Sequence, residues 1–171
     1  MERSKLGNKI VVLGVSASGK STFARKLSER LTLPLIHIDE LMWKPEWEYV
    51  GDEEIVRLIK EASEKESWII EGYIEKNARV GLFNKSASLI YLDYPAWLPA
   101  FRYIKRWLKH RKNPRLELPG CPEKFSLEFL IRVYKKKEVY RLERLFKEVD
   151  FSAKIIRLKS PKETEDFLQS L

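Results

Sequence analysis

The chain has 171 residues, 44% of them hydrophobic, which suits one folded domain and excludes a disordered or low-complexity chain. Its net charge of +8 favours anionic partners, a class that includes nucleotides, phosphorylated metabolites, nucleic acid and anionic lipid. A single cysteine, Cys121, excludes an internal disulfide framework and agrees with a reducing cytoplasm; the sequence predicts no secretory leader, no membrane span and no membrane partner.

Lys9 to Leu13 is a short apolar run rich in β-branched residues, which predicts a buried strand. Gly14-Val15-Ser16-Ala17-Ser18-Gly19-Lys20-Ser21 follows and matches the phosphate-binding pattern G-x-x-x-x-G-K-[ST] in full. After it, Phe23, Ala24, Leu27 and Leu31 recur at helical spacing. Strand, glycine loop and helix is the order this chemistry needs. Backbone N–H groups from about Ser16 to Ser21, with Thr22 beside them, are expected to form a concave nest at a helix N-terminus. Gly14 and Gly19 let the backbone approach phosphate oxygens without a Cβ. Lys20 is the residue expected on the β- and γ-phosphates of ATP, and Ser21 the one on Mg2+.

Leu33 to Ile38 predicts a second strand ending at Asp39-Glu40, and Trp43 to Trp47 an aromatic loop or lid piece. Asp52 is placed as the cap of a helix running to about Ser67. Trp68 to Gly72 and Ser88 to Asp93 read as strands three and four. Residues 97–112 predict a basic amphipathic helix, with Trp97, Phe101, Ile104 and Leu108 as its apolar stripe and Arg102, Lys105, Arg106 and Lys109 opposite. Three prolines and a glycine between Asn113 and Pro122 predict a loop or flap, a lid at about 110–125. A long helix is expected from about Ser126 to Val149, with its stripe interrupted around Lys135-Lys136-Lys137. Lys154 to Leu158 is a fifth strand. The last helix opens on Ser160, Pro161 and Glu163, a capping box. Alternating strands and helices predict an α/β fold with a parallel sheet, in one domain over 1–171.

These residues, taken together, resemble a known family. The phosphate loop, His37-Ile38-Asp39-Glu40-Leu41, Trp43 with Pro45 and Trp47, Trp68 to Gly72, Tyr91 to Pro95 and Gly120-Cys121-Pro122-Glu123 are similar to the topology modulation protein family, an adenylate-kinase-like branch of the P-loop proteins. The resemblance implies a P-loop NTPase fold of the nucleotide-kinase type, with a five-stranded parallel sheet in the order 2-3-1-4-5 and helices on both faces. It also implies ATP and Mg2+ as cofactors and phosphoryl transfer to a small acceptor. In adenylate kinases two arginines follow the proline after the fourth strand by seven and eleven residues. Arg102 and Arg106 stand so after Pro95, which implies Arg102 near the adenine and Arg106 on the transferring phosphates. Lid arginines clamp ATP in that family, and Arg132 and Arg141 are the candidates here. The Thr-Gly and Phe-Pro-Arg segments by which adenylate kinases hold AMP are missing, so AMP is not the implied acceptor.

Asp39 and Glu71 end strands at the edge where doubly wound sheets bind ligands, and are candidates for Mg2+ or for the acceptor's proton. Asp93 reads as a turn residue, His37 as a packed histidine and His110 as surface. Trp43 and Trp47 are expected either to stack on a substrate base or to give hydrophobic cover over the acceptor cleft. The second functional reading is an ATP-dependent regulator bound to nucleic acid, motivated by the basic helices near 97–112 and 132–144.

Overall fold

The computed structural model describes residues 6–74, 76–115, 117–135, 137–148 and 151–171, and for residues 137–139, 141 and 148 the backbone alone. Chain order is β1 (Lys9–Gly14), α1 (Lys20–Leu31), β2 (Leu35–His37), α2 (Ile38–Met42), β3 (Trp43–Lys44), β4 (Glu48–Tyr49), α3 (Asp52–Glu64), β5 (Trp68–Glu71), α4 (Lys76–Lys85), β6 (Ser88–Leu92), α5 (Trp97–His110), α6 (Leu127–Tyr134), α7 (Lys137–Glu148), β7 (Lys154–Leu158) and α8 (Pro161–Gln169). A tight turn, Pro45–Trp47, joins β3 to β4, with Glu46 (φ 64°) and Trp47 (φ 63°) at positive φ.

Five strands form a parallel sheet in the order β2-β5-β1-β6-β7, the order that the resemblance implies. Side chains alternate across it. Val11, Leu13, Ile70, Leu89 and Tyr91 pack on one face with α3, α4 and α7. Ile10, Val12, Ile69, Ile90 and Leu92 pack on the other with α1 and α8. Strands buried on both faces explain the near-continuous apolar runs in β1, β5 and β6.

Several elements differ from the sequence reading. The second strand is shorter than expected: β2 ends at His37, so Asp39 sits in the first turn of α2. The aromatic stretch is not a loop; β3 and β4 pair antiparallel, Trp43 opposite Tyr49. Asp52 is not the cap of α3, because Gly51 holds that position (φ +100°) and the Asp52 carboxylate accepts the Tyr49 hydroxyl at 2.6 Å instead. α4 was not anticipated; its glycine-containing sequence has weak periodicity, yet it buries Ala78, Leu82 and Phe83. The expected long helix is two, α6 and α7, with Lys135 capping the first.

The orientation of α5 is the reverse of what its apolar stripe predicts. Trp97, Phe101 and Leu108 stand 62%, 54% and 52% exposed, and Ile104 is exposed as well. The helix instead buries Pro99, Ala100 and Tyr103, with Tyr103 stacking on Phe125 (6.2 Å) and meeting Phe129 (5.0 Å). Arg102 and Arg106 thereby turn inward. The last helix caps as predicted at Ser160, whose Oγ accepts from Glu163 N at 3.1 Å. The Glu163 carboxylate reaches one residue further back than a capping box requires, to Lys159 N at 2.7 Å.

Candidate active site

The carboxyl ends of β1, β2 and β5 deliver Gly14, His37 and Glu71 to one edge of the sheet. Between β1 and α1 the loop turns sharply. Gly14 has φ +152°, and a Cβ there would meet Ser18 Oγ at 2.8 Å and the Leu92 carbonyl at 3.0 Å. Ala17 takes a left-handed conformation (φ 62°). The Ser18 amide donates to Val15 O at 3.1 Å, so this one amide of the expected nest closes the turn rather than facing outward. Ser18 Oγ is buried with no hydrogen-bond partner among the described residues. An orphaned hydroxyl of this kind is what an anion-binding loop leaves for its ligand.

Lys20 extends back over the loop, Nζ donating to Val15 O at 3.0 Å. Arg102 reaches the same loop from α5, donating through Nη1 to Ser18 O. Its guanidinium lies 5.4 Å from the Tyr94 ring. A Cβ on Gly19 (φ +99°) would stand 3.0 Å from that Nη1, so the missing side chain at Gly19 is what admits Arg102.

Glu71 is buried at the end of β5. Its Oε1 meets His37 Nδ1 at 2.5 Å. Burial pushes the Glu71 carboxyl up, but the His37 hydrogen bond, the Lys20 charge and the Ser21 hydroxyl outweigh it and hold the group below the usual carboxylate range. The Glu71 hydrogen bond raises His37 above its ordinary value against the opposing effect of burial. His37 is therefore the packed, hydrogen-bonded residue that the sequence predicts, with Glu71 as its partner. Among the described residues no cluster of three or more His, Cys, Asp or Glu side chains could hold a metal ion by itself. Ser21, Asp39 and Glu71 fit Mg2+ only in the way that ion is bound beside phosphates, through one or two carboxylates and the ligand's own oxygens.

Two clefts open from this edge. The first, about 710 Å3, is lined by the loop from Ser16 to Phe23 and by Arg102 and Tyr94. The second, about 800 Å3, is lined by Trp43, Trp47 and Tyr49 of the hairpin and by Phe129 and Arg132 of α6. Ser16, Asp39, Tyr73, Arg106 and Arg115 line both, and so mark the junction. There Arg106 Nε and Arg115 Nε each stand 3.0 Å from the same oxygen of Glu123, which is buried. Burial lowers Arg106 from its usual value while the Glu123 charge opposes that effect; a guanidinium stays protonated regardless.

The flap that carries Arg115 and Glu123 is latched to the hairpin. Glu46 N donates to Gly120 O at 2.9 Å, Trp47 Nε1 to Pro122 O at 2.8 Å, and Cys121 Sγ to Lys44 O at 3.2 Å. Glu117 forms an ion pair with Arg25 of α1.

Of the residues singled out from sequence, the structure brings Ser16 to Thr22, Asp39, Glu71, Arg102 and Arg106 to the first cleft, whereas Gly14 shapes the turn without lining it. Arg132 lies in the second cleft, over the Phe129 ring at 4.7 Å. The side chain of Arg141 lies outside the described residues. Asp93 is away from both clefts, 3.4 Å from Arg157. His110, read as surface, lines the first cleft, and Nδ1 lies 3.1 Å from Asn113 O. Sequence reasoning assigned no role to Glu123 or Tyr73; an acidic residue in a flap otherwise flanked by cations was the available hint.

No protein-family model matches the sequence, and a search of curated proteins found no match either. Among solved structures the chain is similar to a shikimate kinase from Acinetobacter baumannii in complex with shikimate, with a TM-score of 0.61 and 15% identity over 97% of this chain and 91% of that one. It is similar to a gluconokinase from Sinorhizobium meliloti 1021, with a TM-score of 0.58 and 17% identity over 97% and 94%. A shikimate kinase from Aquifex aeolicus gives 0.54 and 20% over 94% and 92%. The chain has the fold of the P-loop kinases. No helix among the described residues is long and apolar enough to cross a membrane.

Proposed function

We propose that this protein is a small-molecule kinase that moves the γ-phosphoryl group of MgATP, bound in the first cleft, to an acceptor bound in the second. The observation that carries this reading is the shared junction. A phosphate-loop cleft and an aromatic cleft meet at Ser16, Asp39, Arg106 and Arg115, which is where a group transferred between two ligands must pass.

The roles follow from position. Loop amides and Lys20 hold the β- and γ-phosphates, and Arg102 supports the donor nucleotide. Ser21, with Asp39 and Glu71 near it, holds Mg2+, which neutralises phosphate charge when bound. Glu71 is kept ionised and oriented by His37. Asp39 accepts the acceptor's proton as its oxygen bonds to the γ-phosphorus; the bond from phosphorus to the β,γ-bridging oxygen breaks, and ADP leaves. Arg106 and Arg115 stand where charge accumulates on the transferring group. Arg132 acts on the acceptor side, Arg141 is retained as a lid arginine, and residues 110–125 form the lid that excludes water.

Membership of the topology modulation protein family and a cytoplasmic setting belong to the same reading. Of the basic residues in 97–112 that, with those in 132–144 and the net charge, motivated the nucleic-acid alternative, Arg102, Arg106 and Lys109 line the first cleft, which gives part of the charge of α5 a small-ligand use.

The test is a coupled assay of ADP release across a panel of hydroxylated and phosphorylated acceptors. Acceptor-dependent release above the hydrolysis background supports the reading. Hydrolysis that no acceptor accelerates contradicts it.

A further inference from the structure

We propose that the second cleft selects an acceptor in which a planar aromatic ring is joined through an intervening linker to a carboxylate or phosphate group. This rests on the kinase reading and specifies its acceptor. The first observation concerns the walls. Trp43 and Trp47 meet edge to face, 5.6 Å between centroids at 75°, and Tyr49 stands 5.5 Å from Trp43. Rings packed against one another in this way form a rigid apolar surface. Tyr73 adds a ring that is 40% exposed at the junction.

Three of the cleft's aromatic side chains already use their polar atoms inside the protein. Trp47 Nε1 donates to Pro122 O, the Tyr49 hydroxyl to Asp52 at 2.6 Å, and the Tyr103 hydroxyl bridges Lys124 O (3.2 Å) and Ser126 N (2.9 Å). What Trp47, Tyr49 and Tyr103 offer a ligand is ring surface rather than donors and acceptors. A polyhydroxylated aliphatic acceptor would leave hydroxyls unpaired against it, whereas a flat ring would not.

The second observation is charge. Four basic side chains line the cleft against three acidic ones. Glu123 is shared by Arg106 and Arg115, and Asp39 offsets the second of these charges, so the cleft's excess positive charge lies on the side of Lys124 and Arg132. Arg132 is exposed, lies over the Phe129 ring and forms no ion pair among the described residues. A guanidinium seated over a ring and lining the cleft is suited to a carboxylate or phosphate.

The experiment is equilibrium binding to the protein saturated with magnesium and the nonhydrolysable ATP analogue AMP-PNP, which fills the first cleft. The probes are UMP and 4-hydroxyphenyllactate (ring with phosphate, ring with carboxylate), uridine (ring without anion) and gluconate (anion without ring). At least one ring-bearing anion is expected to bind at least tenfold more tightly than uridine and gluconate, and which of the two does so identifies the anion. Arg132→Gln is expected to weaken that ligand at least fivefold and leave uridine unchanged. Trp43→Leu is expected to weaken it and leave gluconate unchanged, with Trp43→Phe restoring the preference. Gluconate binding as tightly as either ring-bearing anion overturns the inference. So does binding of none of the four while AMP-PNP binds, which leaves the kinase reading standing. Failure of AMP-PNP to bind overturns the kinase reading and this inference with it.

Discussion

Lys20 in the structure is tied to the Val15 carbonyl and contributes nothing to the core. Substituting it is expected to separate chemistry from folding. Lys20→Ala should cut phosphoryl transfer at least 100-fold, while the melting temperature moves by no more than a few degrees. A kinetic assay paired with a thermal melt checks both. The His37–Glu71 pair gives a second expectation. The raised value of His37 means that its contribution is fully present below the ordinary imidazole value and is lost as pH rises through the raised one. The lowered value of Glu71 means that its contribution is present above the ordinary carboxylate range and is lost as pH falls through the depressed one. The pair stabilises most between these limits. The difference in melting temperature between the wild type and His37→Gln should therefore be largest there and shrink on the alkaline side. A difference that does not vary with pH would contradict the pairing. The loop and its lysine were legible because the motif is local and contiguous. The His37–Glu71 pair was not, because its members are 34 residues apart and meet only through the β2–β5 register.

Among the elements, α5 shows what periodicity conveys and what it does not. The spacing of Trp97, Phe101, Ile104 and Leu108 established a two-faced helix, but not which face the fold buries. The cation-bearing side went inward because it borders a ligand cleft, and the aromatic partners Tyr103, Phe125 and Phe129 anchor it there. The β3–β4 hairpin was missed because each strand is two residues long, too short for alternation to appear. That hairpin and the flap are joined at Gly120, Cys121 and Pro122, and Gly120 makes the tightest of these approaches. Gly120 has φ +76°, and a Cβ there would stand 2.8 Å from Pro45 Cβ and 3.3 Å from its Cα. Gly120→Ala should cost about 1–3 kcal/mol in a denaturant melt. It should also raise the acceptor's KM more than it weakens ATP, since the first cleft lies on the other side of the junction. Equal effects on both ligands would show that the latch is not specific to the acceptor side.

For the molecule as a whole, the parallel sheet followed from alternating strand and helix patterns, whereas the strand order followed from the family resemblance. Both core layers were readable from apolar runs, except where α4 contributes. Phe83 of that helix is fully buried against Phe146 (6.2 Å) and Phe151 (5.5 Å), so it joins α4, α7 and the approach to β7. Phe83→Ala should destabilise the fold by about 3–5 kcal/mol, read from chemical denaturation. A loss under about 1 kcal/mol would mean that this layer is not part of the core. The two clefts were not legible together, because their junction is assembled from Ser16, Asp39, Tyr73, Arg106 and Arg115, which only the folded chain brings to one place. The account as a whole stands on the first cleft being a triphosphate site. Isothermal titration calorimetry with MgATP tests this most directly. Saturable binding at one site per chain, lost or weakened at least tenfold in Lys20→Ala, is the predicted result. A wild-type protein that gives no heat of binding and no thermal stabilisation with MgATP would contradict it.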